Sequence, residues 1–525
     1  MLSQTIISLL HSSKPKSISH LHQIHALLIT YDGLFPNFPA KLIYLSATSG
    51  HVHYSHRLLR YYPTSYVIDW NTVIRAYANT PSPNQSLRLF VQMMRFGVSP
   101  DHFTFPFLLK ASSRLSSIRL GVSVHSYILR CGHNVDLFVS NSLIHFYASC
   151  CDIMCARKVF DEMPQRTRVS WNSMLNGYAK CGDVGKALEV FKSMPDKDVV
   201  SWSSIIDGLV KGGEYAQALT FFERMVSVGG PKPNEVTMVS VLRACAHLGA
   251  FDQGKLMHRY IVENELPLTL VLLTSLVDMY AKCGAIEVAL AVFRGIPKVK
   301  SDVFLWNAII GGLANHGSVR ESLDLFKEMS TAGVEADEIT YLCLLSACAH
   351  GGLVKEAWNF FEALERNGMT AKCEHYACMI DVLARAGVVE EAYDLLCRMP
   401  LKPTPAMLGS LLSGCMNHGR LDLAELLGKK LVEIDPHHDG RYVGLSNVYA
   451  AVNRWDDAKT WRQAMDTTGV KKFPGLSYVE ISGMLEMFKA HDKTHPKSSE
   501  VYAILNLILM QMRRAIDCED ECLVY

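Results

Sequence analysis

The stretch "VSWNSMLNGYAKCG", residues 169–182, returns almost unchanged as "VSWSSIIDGLVKGG", residues 200–213. Trp171 comes back as Trp202 and Gly182 as Gly213, yet Asn172 becomes Ser203. Trp171, Met174, Leu175 and Tyr178 fall at i, i+3, i+4 and i+7, one apolar stripe along a helix. Gly182 suits the left-handed position that ends a helix. A second helix follows, with Val184, Ala187, Phe191 and Met194 on one face, and Pro195 stops it. The same slots hold Ala218, Phe222 and Met225, then Ser322, Phe326 and Met329. A small residue at the first of them lets two paired helices approach closely.

Outward from this stretch the pattern continues in both directions. Strong copies begin "VIDWNTVIRAY" at Val67, "RVSWNSMLNGY" at Arg168, "VVSWSSIIDGL" at Val199 and "VFLWNAIIGGL" at Val303. Weaker copies begin at residues 102, 137, 235, 270, 338 and 373. The fifth positions are 71, 106, 141, 172, 203, 239, 274, 307, 342 and 377, so successive spacings are 35, 35, 31, 31, 36, 35, 33, 35 and 35. A two-helix repeat cannot bury both stripes alone, so the copies must stack into an α-solenoid.

Composition agrees with a long, well-buried chain. Of 525 residues 49% are apolar and mean hydropathy is +0.11, which excludes wholesale disorder. No uninterrupted apolar run is long enough to span a bilayer, so no membrane association is expected. A net charge of only +1 argues against bulk phosphate binding but permits a protein that reads bases through polar side chains. The 15 cysteines include no C-x-x-C; Cys151/Cys155 and Cys518/Cys522 are C-x-x-x-C. Scattered at helical positions, they are expected to be buried free thiols of a reducing compartment. The first acidic residue is Asp32, and the Ser-rich, acid-free start fits an organellar transit peptide over residues 1–35 that overlaps a degenerate first repeat with a helix from about Ile18.

Repeats of about 35, 35 and 31 residues alternate, with L-G-x-x-x-H in the middle type and Y-A-x-x-G followed by F-x-x-M-P in the short type. This alternation resembles the pentatricopeptide repeat family of plant organelles, in its P-L-S subclass, over residues 2 to 514. The resemblance implies an all-α fold, a right-handed α-solenoid superhelix of stacked two-helix repeats. It divides the chain into repeats at 36–66, 67–101, 102–136, 137–167, 168–198, 199–234, 235–269, 270–302, 303–337, 338–372 and 373–404. Two E-type motifs over 405–472, an E+ extension over 473–514 and a tail over 515–525 would follow. Leu408 stands where the first E-type motif usually has Trp.

In this family the fifth and last residues of a repeat choose one RNA base, and apolar second residues sandwich it. By that rule Asn71/Asp101, Asn172/Asp198 and Asn307/Asp337 imply uracil, Ser203/Asn234 adenine and Thr274/Asp302 guanine. Asn141/Thr167 is not a standard pair. The middle-type pairs Pro106/Asp136, Val239/Thr269 and Leu342/Lys372 lack a fifth-position donor, and Ala377/Thr404 is uninformative. The expected core, 5′ to 3′, is U-n-n-U-A-n-G-U. The sandwiching residues would be Ile68, Phe103, Phe138, Val169, Val200, Val236, Val271, Phe304 and Ile339, all apolar. Asn and Asp also serve as helix N-caps, so the signal lies in recurrence at register.

Three other motifs read as structural. "GAFDQGKL", residues 249–256, has P-loop spacing but ends in Leu where Ser or Thr is needed, with no strand before it. His25, His125 and His258 recur at one slot, helices apart, as packing positions. "KKF", residues 471–473, and Arg513/Arg514 read as solvated surface. Many relatives continue into a zinc deaminase with H-x-E and paired C-x-x-C, whereas "AIDCEDECLVY" carries neither. The expectation is therefore no catalysis, metal or cofactor of its own. The chain would be a site-recognition factor for organellar C-to-U RNA editing that binds single-stranded RNA. A DYW-type deaminase would act in trans, and multiple organellar RNA editing factor proteins would be partners. Location would be the mitochondrion, or alternatively the chloroplast. Rival readings are an organellar RNA stability, splicing or translation factor, and a tetratricopeptide-type protein scaffold.

Overall fold

The computed structural model describes residues 18–30, 38–62, 66–227, 229–296, 302–472, 475–481, 484–489 and 493–522. The residues of the expected transit peptide outside 18–30 therefore lie outside the description. Within it, helix Ile18–Thr30 begins at the residue the sequence suggested, with Leu21 and Ile24 buried.

Among the described residues there are 28 helices and one two-stranded hairpin, an all-α solenoid architecture. The chain forms two compact bodies, Met1–Val241 and Leu242–Tyr525. In the first body, helix Arg168–Lys180 packs on its partner Val184–Ser193 and on the next first helix, Val199–Lys211. In the second, Val303–Asn315 packs likewise on Val319–Thr331 and on Glu338–Gly351.

The reasons are local. Gly182 follows the first helix at φ +77°, a backbone that a β-carbon penalises. The following turn places Ala187 and Phe191 inward, and both are buried. The small slot of the second helix is buried in every copy, as Ser86, Gly121, Ala156, Ala187 and Ala218 in one body and Gly254, Ala289, Ser322, Ala357 and Ala392 in the other. Where it is Ser, the hydroxyl donates to a carbonyl of the preceding helix: Ser86 to Ile74 at 2.9 Å and Ser322 to Ile310 at 3.1 Å. Successive first helices also touch closely. A β-carbon on Gly208 would lie 2.8 Å from that of Ala179, so only Gly fits there without displacement.

Between repeats the joint is aromatic. Phe160 meets Trp171, Phe191 meets Trp202 and Phe293 meets Trp306, each edge-on with centroids 4.9 Å apart. Such pairs contribute about 0.5–1.5 kcal/mol beyond their area. At these three junctions one repeat thus borrows part of its core from the next.

One sequence expectation changes here. The cysteines are not uniformly buried: Cys245, Cys348 and Cys415 are, but Cys131, Cys151 and Cys397 are exposed. Cys151 lies on the turn after helix Leu137–Ser149, and Cys131 and Cys397 lie at the C-terminal ends of the second helices Ile118–Cys131 and Val389–Arg398. The last described helix is Ser498–Cys522. Before it, Leu476–Ile481 and Met484–Lys489 pair antiparallel, from Leu476 opposite Lys489 to Ile481 opposite Met484. No described helix is long and apolar enough to cross a membrane.

Candidate nucleic-acid interface

The last residue of each repeat is also the N-cap, or close to it, of the next first helix. Asp198 accepts from Ser201 N–H, Asp302 from Leu305 N–H and Asp337 from Thr340 N–H, satisfying donors that a helix start leaves open. Thr167 caps helix Arg168–Lys180 in a reciprocal box with Ser170. Capping fixes the side chain beside the end of the preceding first helix, where the fifth residue stands.

Four predicted pairs are consequently joined, three of them Asn–Asp. Asn71 Nδ2 donates to Asp101 Oδ1 at 2.9 Å and Asn307 Nδ2 to Asp337 Oδ1 at 2.9 Å. Asn172 Nδ2 reaches both carboxylate oxygens of Asp198, at 3.2 and 3.4 Å. Ser203 and Asn234 meet at 3.4 Å, and Thr237 ties them more firmly, its Oγ1 2.7 Å from Ser203 Oγ and 3.0 Å from Asn234 Oδ1. Thr274 and Asp302 are not joined, because Thr274 Oγ1 is buried without a hydrogen-bond partner. Thr167 turns its hydroxyl to Ser170, and Asn141 Oδ1 is likewise buried and unpartnered.

Electrostatics follow from this geometry. Burial pushes the carboxyls of Asp101, Asp198 and Asp337 up, but hydrogen bonds from the fifth-position Asn, the capped N–H groups and neighbouring hydroxyls outweigh it. All three sit below the usual carboxylate value and are anionic acceptors at neutral pH. Each Asn is therefore held with its NH₂ toward the acid. The carbonyl oxygens of Asn71 and Asn172 are left buried and unpartnered, facing no group of the protein that donates to them. Unpartnered buried polar atoms are costly and rare, and here four of them fall at fifth positions: Asn71, Asn141, Asn172 and Thr274.

The nine second-position residues are exposed without exception, from 45% for Val200 to 68% for Ile68. A core role for them is excluded, since the buried stripe runs through their neighbours. In the first body, the exposed rings of Phe103 and Phe138 on successive repeats stand 6.3 Å apart. Repeats therefore place a polar pair beside bare apolar surface, an arrangement able to hold a flat, hydrogen-bonding ring.

The remaining motifs resolve as packing. His125 Nδ1 bonds Tyr147 Oη at 2.8 Å, His258 bonds Tyr280 at 2.9 Å and His25 bonds Tyr54 at 2.6 Å. Burial holds all three imidazoles below their ordinary value. The "GAFDQGKL" segment joins helix Glu235–Leu248 to helix Phe251–Glu263, and Lys255 is spent on Asp252 at 2.7 Å. Lys471 and Lys472 are exposed; Phe473 and the side chains of Arg513 and Arg514 lie outside the described residues. No group of three or more His, Cys, Asp or Glu able to hold a metal occurs among the described residues.

A feature missed in the sequence is the hydroxyl at the third position of the following repeat. Thr104, Thr237 and Thr340 each bond the pair before them, and each is fully buried. Their recurrence as Ser or Thr three residues after the last position was the available signal.

Family comparisons place these repeats. The PPR repeat model matches residues 68–98, 138–167, 169–199, 271–298, 339–369 and 374–402, and the PPR repeat family model matches 197–247 and 301–350. An E motif matches 418–480. A pentatricopeptide repeat-containing protein of Arabidopsis thaliana is 58% identical over 510 residues, 96% of this chain and 95% of its own. A second from that plant, named as mitochondrial, is 37% identical over 501 residues, 95% of this chain and 73% of its own. The crystal structure of the maize pentatricopeptide repeat protein PPR10 aligns at 17% identity over 86% of this chain and 82% of that one, with a TM-score of 0.46. The chain belongs to the pentatricopeptide repeat family.

Proposed function

We propose that this protein binds single-stranded RNA in a sequence-specific way and marks sites for organellar C-to-U editing. The observation that carries the reading is the recurrence of three Asn–Asp pairs, each hydrogen-bonded at register beside an exposed apolar residue. In this reading the fifth and last residues select the base and the second residues of successive repeats sandwich it. Asn71/Asp101, Asn172/Asp198 and Asn307/Asp337 take uracil, Ser203/Asn234 adenine and Thr274/Asp302 guanine, giving the core U-n-n-U-A-n-G-U. Asn141/Thr167 leaves its base open.

The E motif supports the editing role over general RNA protection. The chain acts as an adaptor of the P-L-S type without chemistry of its own, and a DYW-type deaminase is recruited in trans through the C-terminal motifs. Multiple organellar RNA editing factor proteins bind the middle-type repeats. The mitochondrion is the proposed location, in line with the relative named so.

Loss of the gene followed by sequencing of organellar transcripts tests this. One or a few cytidines left unedited downstream of a match to the core are expected. Complete editing with altered transcript ends would instead make it a stability or processing factor.

A further inference from the structure

Uracil presents an acceptor at O4 beside a donor at N3, whereas cytosine presents a donor at N4 beside an acceptor at N3. A primary amide offers one of each, so turning an Asn amide over exchanges its preference between the two pyrimidines. Whatever fixes the amide's orientation therefore fixes the choice.

The three Asn–Asp pairs share the same two residue types but are not held alike. At Asn307 the amide is gripped from both sides. Asp337 accepts from its Nδ2 at 2.9 Å, and the Thr340 hydroxyl lies 2.7 Å from its Oδ1. Thr340 Oγ1 also accepts from Asp337 N–H at 3.1 Å and lies 3.0 Å from Asp337 Oδ1. Its single proton thus has the shorter path to Asn307. At Asn71 the corresponding Thr104 hydroxyl goes to Asp101 Oδ1 at 2.8 Å. At Asn172 the Ser201 hydroxyl goes to the main-chain oxygen of Asp198 at 2.8 Å. Both of these Asn residues keep a buried Oδ1 with no partner, held from the Asp side alone.

We propose that Thr340 is a positioning residue for base choice, acting through Asn307, and that the third-position hydroxyl grades how sharply otherwise identical repeats separate uracil from cytosine. A carbonyl oxygen has two lone pairs, so Asn307 Oδ1 still accepts from uracil N3–H while Thr340 holds it. Cytosine requires the turned amide. That would set Asn307 Oδ1 against an anionic carboxylate and its NH₂ against a hydroxyl already committed as donor. This inference rests on the base-reading function proposed above.

The test uses the full chain and synthetic RNAs carrying the core, with U or C at the nucleotide read by Asn307 or at the one read by Asn172. In the wild type the U-over-C affinity ratio is expected to be about fivefold larger at the Asn307 nucleotide, the effect of one additional hydrogen bond. Thr340→Val should reduce that ratio to the Asn172 level and leave the Asn172 ratio unchanged, and Thr340→Ser should restore it. Equal wild-type ratios at the two nucleotides would overturn the inference. So would a folded Thr340→Val chain with the wild-type ratio. The wild-type comparison decides the matter even where Thr340→Val does not fold. A chain with no base preference at any core nucleotide would overturn base reading itself, a different result from loss of this one contrast.

Discussion

Asn172→Ser combined with Asp198→Asn is expected to move the preferred base at the fourth core nucleotide from uracil to adenine. The double variant recreates the pair found one repeat later, Ser203 with Asn234. It should be tolerated because Asn caps a helix about as well as Asp, so the start of helix Val199–Lys211 is kept. A Ser at 172 can turn its hydroxyl to the carbonyl four residues back, as Ser203 does to Val199 at 2.7 Å. A well-placed polar pair gives about 1–3 kcal/mol of base discrimination, on the order of tenfold to a hundredfold in affinity. Titrating the variant with four RNAs that differ only at that nucleotide reads the change. An unaltered uracil preference would mean that the pair does not choose the base.

Phe191→Ala is expected to cost about 3–5 kcal/mol, the range for emptying a buried aromatic site. Phe191 is 4% exposed, and its ring stands 4.9 Å from Trp202 and 5.8 Å from Phe221, both on the next repeat. It is therefore the joint between two copies rather than the core of one. Because a solenoid is held by nearest-neighbour interfaces, the loss should uncouple the repeats on either side before the others melt. The same variant should weaken RNA binding, because Asn172 and Asp198 lie on the two first helices that this joint aligns. Circular dichroism during denaturation would reveal the change as an earlier, less cooperative transition. An unchanged transition would contradict the proposed joint.

Much of this was legible in the sequence, for a physical reason. Trp171, Met174, Leu175 and Tyr178 repeat at helical spacing because every copy buries the same stripe, and Gly182 repeats because every copy turns at the same place. The second positions were legible as well: Ile68, Phe103 and Phe304 break the polar-outside rule in register, and all are exposed. The hydrogen bonds within the pairs were not. Asp198 as an N-cap and Asp198 as a partner of Asn172 leave the same trace in one sequence, and only three-dimensional placement shows that one carboxylate does both. Thr340 was hidden for the same reason, since a Ser or Thr three residues after a cap is ordinary at a helix start. Cys131, Cys151 and Cys397 misled because residue type alone does not say whether a place at a helix end or on a turn is covered, and these three are exposed. The strand pair Leu476–Ile481 and Met484–Lys489 was hidden by its shortness within an otherwise helical chain.

The central claim is that residue pairs at register, and not overall charge, choose the RNA. It is tested most directly by measuring the affinity of the full chain for the core RNA and for every single-nucleotide substitution of it. The account predicts losses at the first, fourth, fifth, seventh and eighth nucleotides, facing Asn71, Asn172, Ser203, Thr274 and Asn307. It predicts little change at the second and sixth, which face Pro106 and Val239. A flat profile, or losses confined to the second and sixth nucleotides, would contradict it.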